Sequence, residues 1–118
     1  MKKKTGLVAM LITVLLVLPF LTGVPGKASE EKEIQKLIET ASTPEDHIKI
    51  ADYYEKQAVI AERKADHHAS MAVAYKNRGK PLPGLAKHCD NLAQKYTEAA
   101  GDYKAMATEH REMAKEKQ

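Results

Sequence analysis

The sequence predicts an all-α protein, in which a signal peptide precedes an antiparallel helical hairpin, an alanine-seamed coiled coil, with a short N-terminal amphipathic helix. One pattern of seven residues (Ala, Tyr, Ala, Ala, His, Met, Ala) occurs twice, 42 residues apart, from Ala51 to Ala72 and from Ala93 to Ala114. Its spacings of three and four residues place these side chains along one stripe of an α-helix. Two similar long helices joined by a short link are expected to fold back on each other.

Residues 1–28 have the features of a secretory signal peptide. Three lysines, Lys2 to Lys4, precede an apolar run from Leu7 to Leu21, and small residues lead up to Ala28. This pattern predicts cleavage between Ala28 and Ser29 and export to the periplasm or the outside of a bacterial cell. The alternative is an uncleaved membrane anchor, but the run is near the lower limit of about 20 apolar residues that a spanning helix needs. A proline within the run favours cleavage, which would leave no stable membrane anchor.

The charge of the mature chain differs from that of the full chain. The full chain has 19 Lys and Arg against 16 Asp and Glu. Four of these lysines, Lys2, Lys3, Lys4 and Lys27, lie in the leader, so 15 basic residues remain against 16 acidic ones. The near-neutral, mixed charge argues against nucleic-acid binding, which needs a clustered excess of cations.

Residues 29–118 are expected to form one helical-hairpin domain with three helices. Ile34, Leu37 and Ile38 fall at helical spacing and predict a short amphipathic helix α1, residues 29–41. Thr43 and Pro44 are a strong helix start, since threonine caps the first amides and proline is tolerated at the first position. Helix α2 is therefore predicted at 44–78, with a glycine cap behind it.

The segment from Gly79 to Gly84 contains two glycines and two prolines and predicts a short link. Helix α3 is predicted from 85 to 116. Gly101 is its weak point, costing about 1 kcal/mol against alanine, or else a place where another backbone approaches.

The predicted seam between α2 and α3 alternates alanine with large side chains. Small residues at every seventh position let two antiparallel helices approach closely. The stripe of α2 is His47, Ala51, Tyr54, Ala58, Ala61, Ala65, His68, Ala72 and Tyr75, and that of α3 is Cys89, Ala93, Tyr96, Ala100, Tyr103, Ala107, His110, Ala114 and Lys117.

Two registers are compatible with the link. In the preferred one each large residue is level with an alanine, Tyr54 with Ala107, because dense packing favours large against small. In the alternative, shifted by three residues, Tyr54 is level with His110 and His68 with Tyr96.

A second apolar strip flanks the seam and comprises Ile50, Met71, Leu92, Ala99, Met106 and Met113. The buried face is therefore wider than a two-stranded coil requires. Either α1 covers this face or two hairpins associate through it as a four-helix bundle. We expect a homo-oligomer or a protein partner at this surface.

The strongest candidate for chemistry is the link-proximal end, where His67 and His68 of α2 lie across from His88 and Cys89 of α3. Imidazole and thiolate are ligands suited to zinc or copper. The alternative interpretation is that His68 is a seam residue bonded to a tyrosine, His67 and His88 are solvated, and Cys89 is a small buried apolar residue. The repeat of His68 at His110, with no cysteine nearby, favours the structural interpretation.

No catalytic or cofactor motif is recognisable. A C-x-x-C-H haem attachment, a Gly-rich phosphate loop, a nucleophile elbow and H-E-x-x-H are all lacking. His88 and Cys89 are adjacent on a helix and point about 100° apart, so they do not form a thiol–imidazole pair. We therefore expect a protein that is not an enzyme and needs no cofactor.

Three short motifs resemble those of a group of small exported bacterial proteins built from two alanine-rich helices. They are the Thr-Pro-x-Asp-His start at residues 43–47, the His-Cys pair at 88–89 and the His-x-x-Met-Ala ending at 110–114. The resemblance implies the hairpin fold and export, and implies no activity.

Two functions follow as expectations. The first is a non-enzymatic exported hairpin that acts by self-association or partner binding. The second is a periplasmic copper- or zinc-binding protein that uses His68, Cys89, His88 and His67.

Overall fold

The computed structural model describes residues 26–116, which form three α-helices and no strand. Helix α1 is Lys27–Thr40, α2 is Pro44–Asn77 and α3 is Pro83–Glu116. Helices α2 and α3 pack closely along their length, which confirms the all-α hairpin. The predicted leader up to residue 25, and the last seam position at residue 117, lie outside the described residues.

The start of α2 is fixed by a complete capping box. The Asp46 backbone N–H donates to the Thr43 hydroxyl at 3.2 Å, and the Thr43 backbone N–H donates to the Asp46 carboxylate at 3.1 Å. Hydrogen bonds donated to the Asp46 carboxylate by the backbone N–H groups of Ser42 and then of Thr43 hold the pKa of Asp46 below its usual value. Pro44 follows as the first helical residue, where it has no hydrogen bond to lose. The cap fixes where the helix begins and so which residues reach the seam.

The link differs from the sequence prediction in two details. Arg78 is extended, and no glycine among residues 26–116 has a positive φ, so the predicted glycine cap of α2 is wrong. Instead the Leu82 backbone N–H donates to the Tyr75 carbonyl oxygen at 3.0 Å, which closes the last turn of α2. Helix α3 begins two residues earlier than predicted, because Pro83 occupies the first turn, where its missing N–H costs nothing.

The predicted seam is the core of the hairpin. Its alanines in α2 are buried, as are Ala100, Ala107 and Ala114 of α3, and its aromatic side chains are half-buried. Small side chains on both helices leave room for this close approach. Ile50, of the flanking strip, is the one large side chain that is fully buried among residues 26–116. The core is therefore thin, as the composition predicts.

The ring of Tyr54 packs between two rings of α3. It lies 6.2 Å from Tyr103 and 5.9 Å from His110, so it contacts one ring on each side of Ala107. The Tyr54–His110 and His68–Tyr96 contacts are pairs of the alternative register, and the preferred register stays a prediction. The expectation that large residues pack against alanine is incomplete, since aromatic rings reach along the helix axis and pack against each other.

Ion pairs on the surface cross the seam in the antiparallel sense. Lys76 pairs with Asp90 at 2.8 Å, Arg111 pairs with both Asp52 and Glu55, and Lys104 pairs with Glu62. All of these side chains are substantially exposed, so each pair contributes about 0–1 kcal/mol. Their arrangement favours this helix direction over a parallel one.

Helix α1 folds back along the N-terminal half of α2. Lys56 donates to the Glu30 carboxylate at 2.7 Å, and Lys27 and Glu31 line a recess of about 160 Å³ with side chains of α2 and α3. No residue of α1 between Lys27 and Thr40 is buried. Its 14 residues span about 21 Å against about 51 Å for the 34 of α2, so α1 covers less than half of the hairpin.

Gly101 lies in open surroundings. A Cβ atom built on it would meet no described atom within 4 Å outside its own helix turn. The alternative prediction, that another backbone approaches at this point, is therefore wrong for this chain, and the glycine is simply a weak helix residue.

Candidate functional site

At the link-proximal end, His68 packs as a seam residue. Its ring is parallel to that of Tyr96, with centres 5.5 Å apart and planes 6° apart. This is one of the pairs expected from the alternative register, and stacking takes the place of the expected hydrogen bond. The His68 Nδ1 atom is buried and has no hydrogen-bond partner among the described residues.

The other three predicted ligands are dispersed around His68. His67 is exposed, with its ring centre 5.9 Å from that of His68, and His88 is exposed as well. Cys89 is a free, buried cysteine. Within residues 26–116, no three side chains of His, Cys, Asp or Glu come together in a group that could hold a metal ion. The copper or zinc site at this end stays a prediction.

The opposite, open end of the hairpin contains an imidazole pair that sequence reasoning missed. The Nδ1 atoms of His47 and His110 lie 3.0 Å apart, and the ring centres are separated by 5.3 Å. His47 is 6% exposed and is one of two buried polar residues in the described chain. One imidazole must donate its Nδ1 hydrogen to the other, so the contact needs at least one ring with an unprotonated Nδ1 atom.

Two effects lower the pKa of His110. The pKa of His110 lies below its usual value because the ring is buried and because His47 is nearby, while Glu109 opposes this effect. Burial and the neighbouring ring therefore favour the neutral form of His110. The ring of Tyr54 also lies beside His110, with the ring centres 5.9 Å apart.

Both histidines belong to the predicted seam stripes, and this was the available signal. In the preferred register His47 is level with Ala114, one turn away from His110. Residues that are not level across the seam can still touch when their rings extend towards each other along the helix axis. Side-chain direction, which the sequence does not give, brings them together.

A third group of polar side chains lies beneath α1. Gln57 is buried, and the Lys64 ammonium lies 5.3 Å from the centre of the Tyr96 ring in a cation–π contact. The pKa of Tyr53 is above its usual value, mainly because of burial and also because of Glu31. These residues line the recess of about 160 Å³ between α1 and the hairpin.

Helix α1 covers only part of one face of the hairpin, and the part of this face beyond Lys64, towards the link, is uncovered. Leu85 is 46% exposed and Leu92 is 38% exposed, and these residues are two helical turns apart on α3. Met71, of the same apolar strip, is half-buried on α2. This link-proximal apolar face, defined here as Met71, Leu85 and Leu92, is what remains of the wide face that the sequence predicts.

The chain matches no protein-family model, no curated protein and no solved structure. Among the helices of residues 26–116, none combines the length and apolar character that crossing a bilayer requires.

Proposed function

We propose that this protein is an exported, non-enzymatic helical hairpin that acts by self-association through its link-proximal apolar face. The observation that supports this proposal is the exposure of Leu85 and Leu92 on the stretch that α1 is too short to reach. A hairpin with a thin alanine core gains stability when a second copy covers such a face. A protein partner of similar apolar character is the other occupant this surface suits.

Analytical ultracentrifugation of the purified protein over a range of concentrations tests this proposal. We expect a dimer or larger assembly that Leu92→Ser weakens at least tenfold. Val59→Ser is the matched control, because Val59 is 44% exposed and lies beside Glu55 and Thr108, in a different recess from that beneath α1. Both exposed substitutions should leave helicity unchanged. A strict monomer, or equal effects of the two substitutions, would contradict the proposal.

Export rests on the leader sequence and on the resemblance to small exported bacterial proteins. Expression in a bacterial host followed by cell fractionation and mass spectrometry of the mature N-terminus tests it. We expect a chain that starts at Ser29 and lies outside the cytoplasm. An intact N-terminus in the membrane fraction would indicate the anchor instead.

Copper or zinc binding at the link-proximal end is the second candidate function. The observation that favours it is the buried, unpartnered Nδ1 atom of His68, since such an atom lacks the hydrogen bond that normally compensates burial. Cys89 would supply a thiolate after a side-chain or helix adjustment. Titration with zinc and copper should then show binding that Cys89→Ser abolishes, and binding that is insensitive to this substitution would exclude the site.

A further inference from the structure

The imidazole pair at the open end has the spacing of two ligands that need little movement to share an ion. Two nitrogens each about 2.0 Å from one ion, at a bond angle of 110–120°, are about 3.3–3.5 Å apart. The Nδ1 atoms of His47 and His110 are 3.0 Å apart. An opening of a few tenths of an ångström therefore suffices, and two different helices supply the ligands.

The sequence around His110 adds sulfur to this pair. Met113 follows His110 by three residues, and side chains at this spacing are neighbours on one helix face. Because helical side chains lean towards the N-terminus, a methionine three residues after His110 has the length to reach back to that ring. Met113 is also 39% exposed, so no close packing in the described chain prevents it from moving.

The number and softness of these donors select the metal. A structural zinc site takes four protein ligands and a catalytic one takes three, usually nitrogen, thiolate or carboxylate. No three side chains of His, Cys, Asp or Glu converge anywhere in residues 26–116, so this end offers zinc two nitrogens. Thioether sulfur selects copper(I), and imidazole also suits copper. Copper(I) accepts low coordination numbers, which fits two imidazoles and one thioether.

We propose that His47, His110 and Met113 bind one copper(I) ion at the open end of the hairpin. The ion displaces the Nδ1 hydrogen of whichever imidazole donates in the metal-free pair. That hydrogen moves to the Nε2 atom of the same ring, so the ring stays neutral, and no redox step is involved. The site joins the start of α2 to the end of α3, so binding also clamps the open end of the hairpin.

The test is an anaerobic titration of the full chain with copper(I) in competition with a chromophoric copper(I) chelator. We expect one ion per chain, and at least a tenfold loss of affinity in His47→Gln and in His110→Gln. Met113→Leu, which keeps the volume of the side chain, should weaken binding to a smaller extent. Met106→Leu is the matched control, because Met106 lies seven residues before Met113 on the same helix, and it should bind as the unsubstituted chain does.

Three outcomes would overturn the proposal: no copper(I) binding, binding that survives loss of both His47 and His110, or binding that Cys89→Ser removes. The last outcome would instead support the link-proximal site. Because the histidine substitutions can disturb folding, X-ray absorption of the copper-loaded, unsubstituted chain gives a second measurement. It should show two nitrogen ligands and one thioether sulfur, and a thiolate-dominated spectrum would also refute the assignment.

Discussion

Replacement of Ile50 by alanine should destabilise the hairpin more than any change at an exposed apolar position. Ile50 is 0% exposed, and the substitution removes three carbon atoms. At about 0.8 kcal/mol for each buried methylene, the transfer cost is about 2.4 kcal/mol. The cavity left behind brings the expected loss to roughly 3–4 kcal/mol.

This loss is large compared with the total stability of such a domain. At about 0.05–0.15 kcal/mol per residue, a domain of about 90 residues has an unfolding free energy of roughly 5–13 kcal/mol. A thin alanine core places this protein towards the lower end. The melting temperature should therefore fall by roughly 12–30 °C.

Urea unfolding followed by circular dichroism at 222 nm measures the effect, and Ile48→Ala is the matched control. Ile48 lies two residues away on the same helix and is 38% exposed, so its truncation should cost less than about 1 kcal/mol. Ile50→Val should fall between the two, at about 1 kcal/mol. Equal losses for the two alanine substitutions would show that Ile50 is not in the core and would refute the packing described here.

Two further predictions concern His110 and Gly101. The folded chain has a lowered pKa at His110, so the unfolded chain binds more protons as the pH falls below about 6.5. The contribution of His110 to stability should therefore be full above that pH and decline below it. The melting temperature of the unsubstituted chain should fall between pH 7.5 and pH 5.5, and it should fall less in His110→Gln. An equal fall in the variant would contradict this prediction. Gly101→Ala should stabilise α3 by about 0.5–1 kcal/mol in the same urea assay, because a Cβ there meets open space. The reverse change at an exposed alanine of the same helix, Ala105→Gly, is the control and should lower the unfolding free energy by a similar amount. A loss of stability in Gly101→Ala would mean that the surroundings of Gly101 are crowded.

The sequence alone determined the helices and the face by which they meet. The signals for the helix ends are local: helix propensity, the Thr43–Pro44 start, and the glycines and prolines of the link. They placed the helix ends within two residues, although the glycine cap predicted for α2 is wrong. The spacing of alanines every seven residues identified the seam, because a helix of fixed pitch brings those positions to one side. These features depend on residues close together in the chain.

Only the tertiary structure decided which large side chains meet across the seam. His68 stacks on Tyr96 instead of hydrogen-bonding to it, and His47 reaches His110 at the end of the hairpin where no site was expected. Such contacts depend on the direction of each side chain along the helix axis and on the register of the two helices. The alanine pattern is compatible with either of two registers. The physical reason is that the alanines determine how closely the two helices approach, whereas the few aromatic and imidazole rings determine which side chains come into contact at that distance.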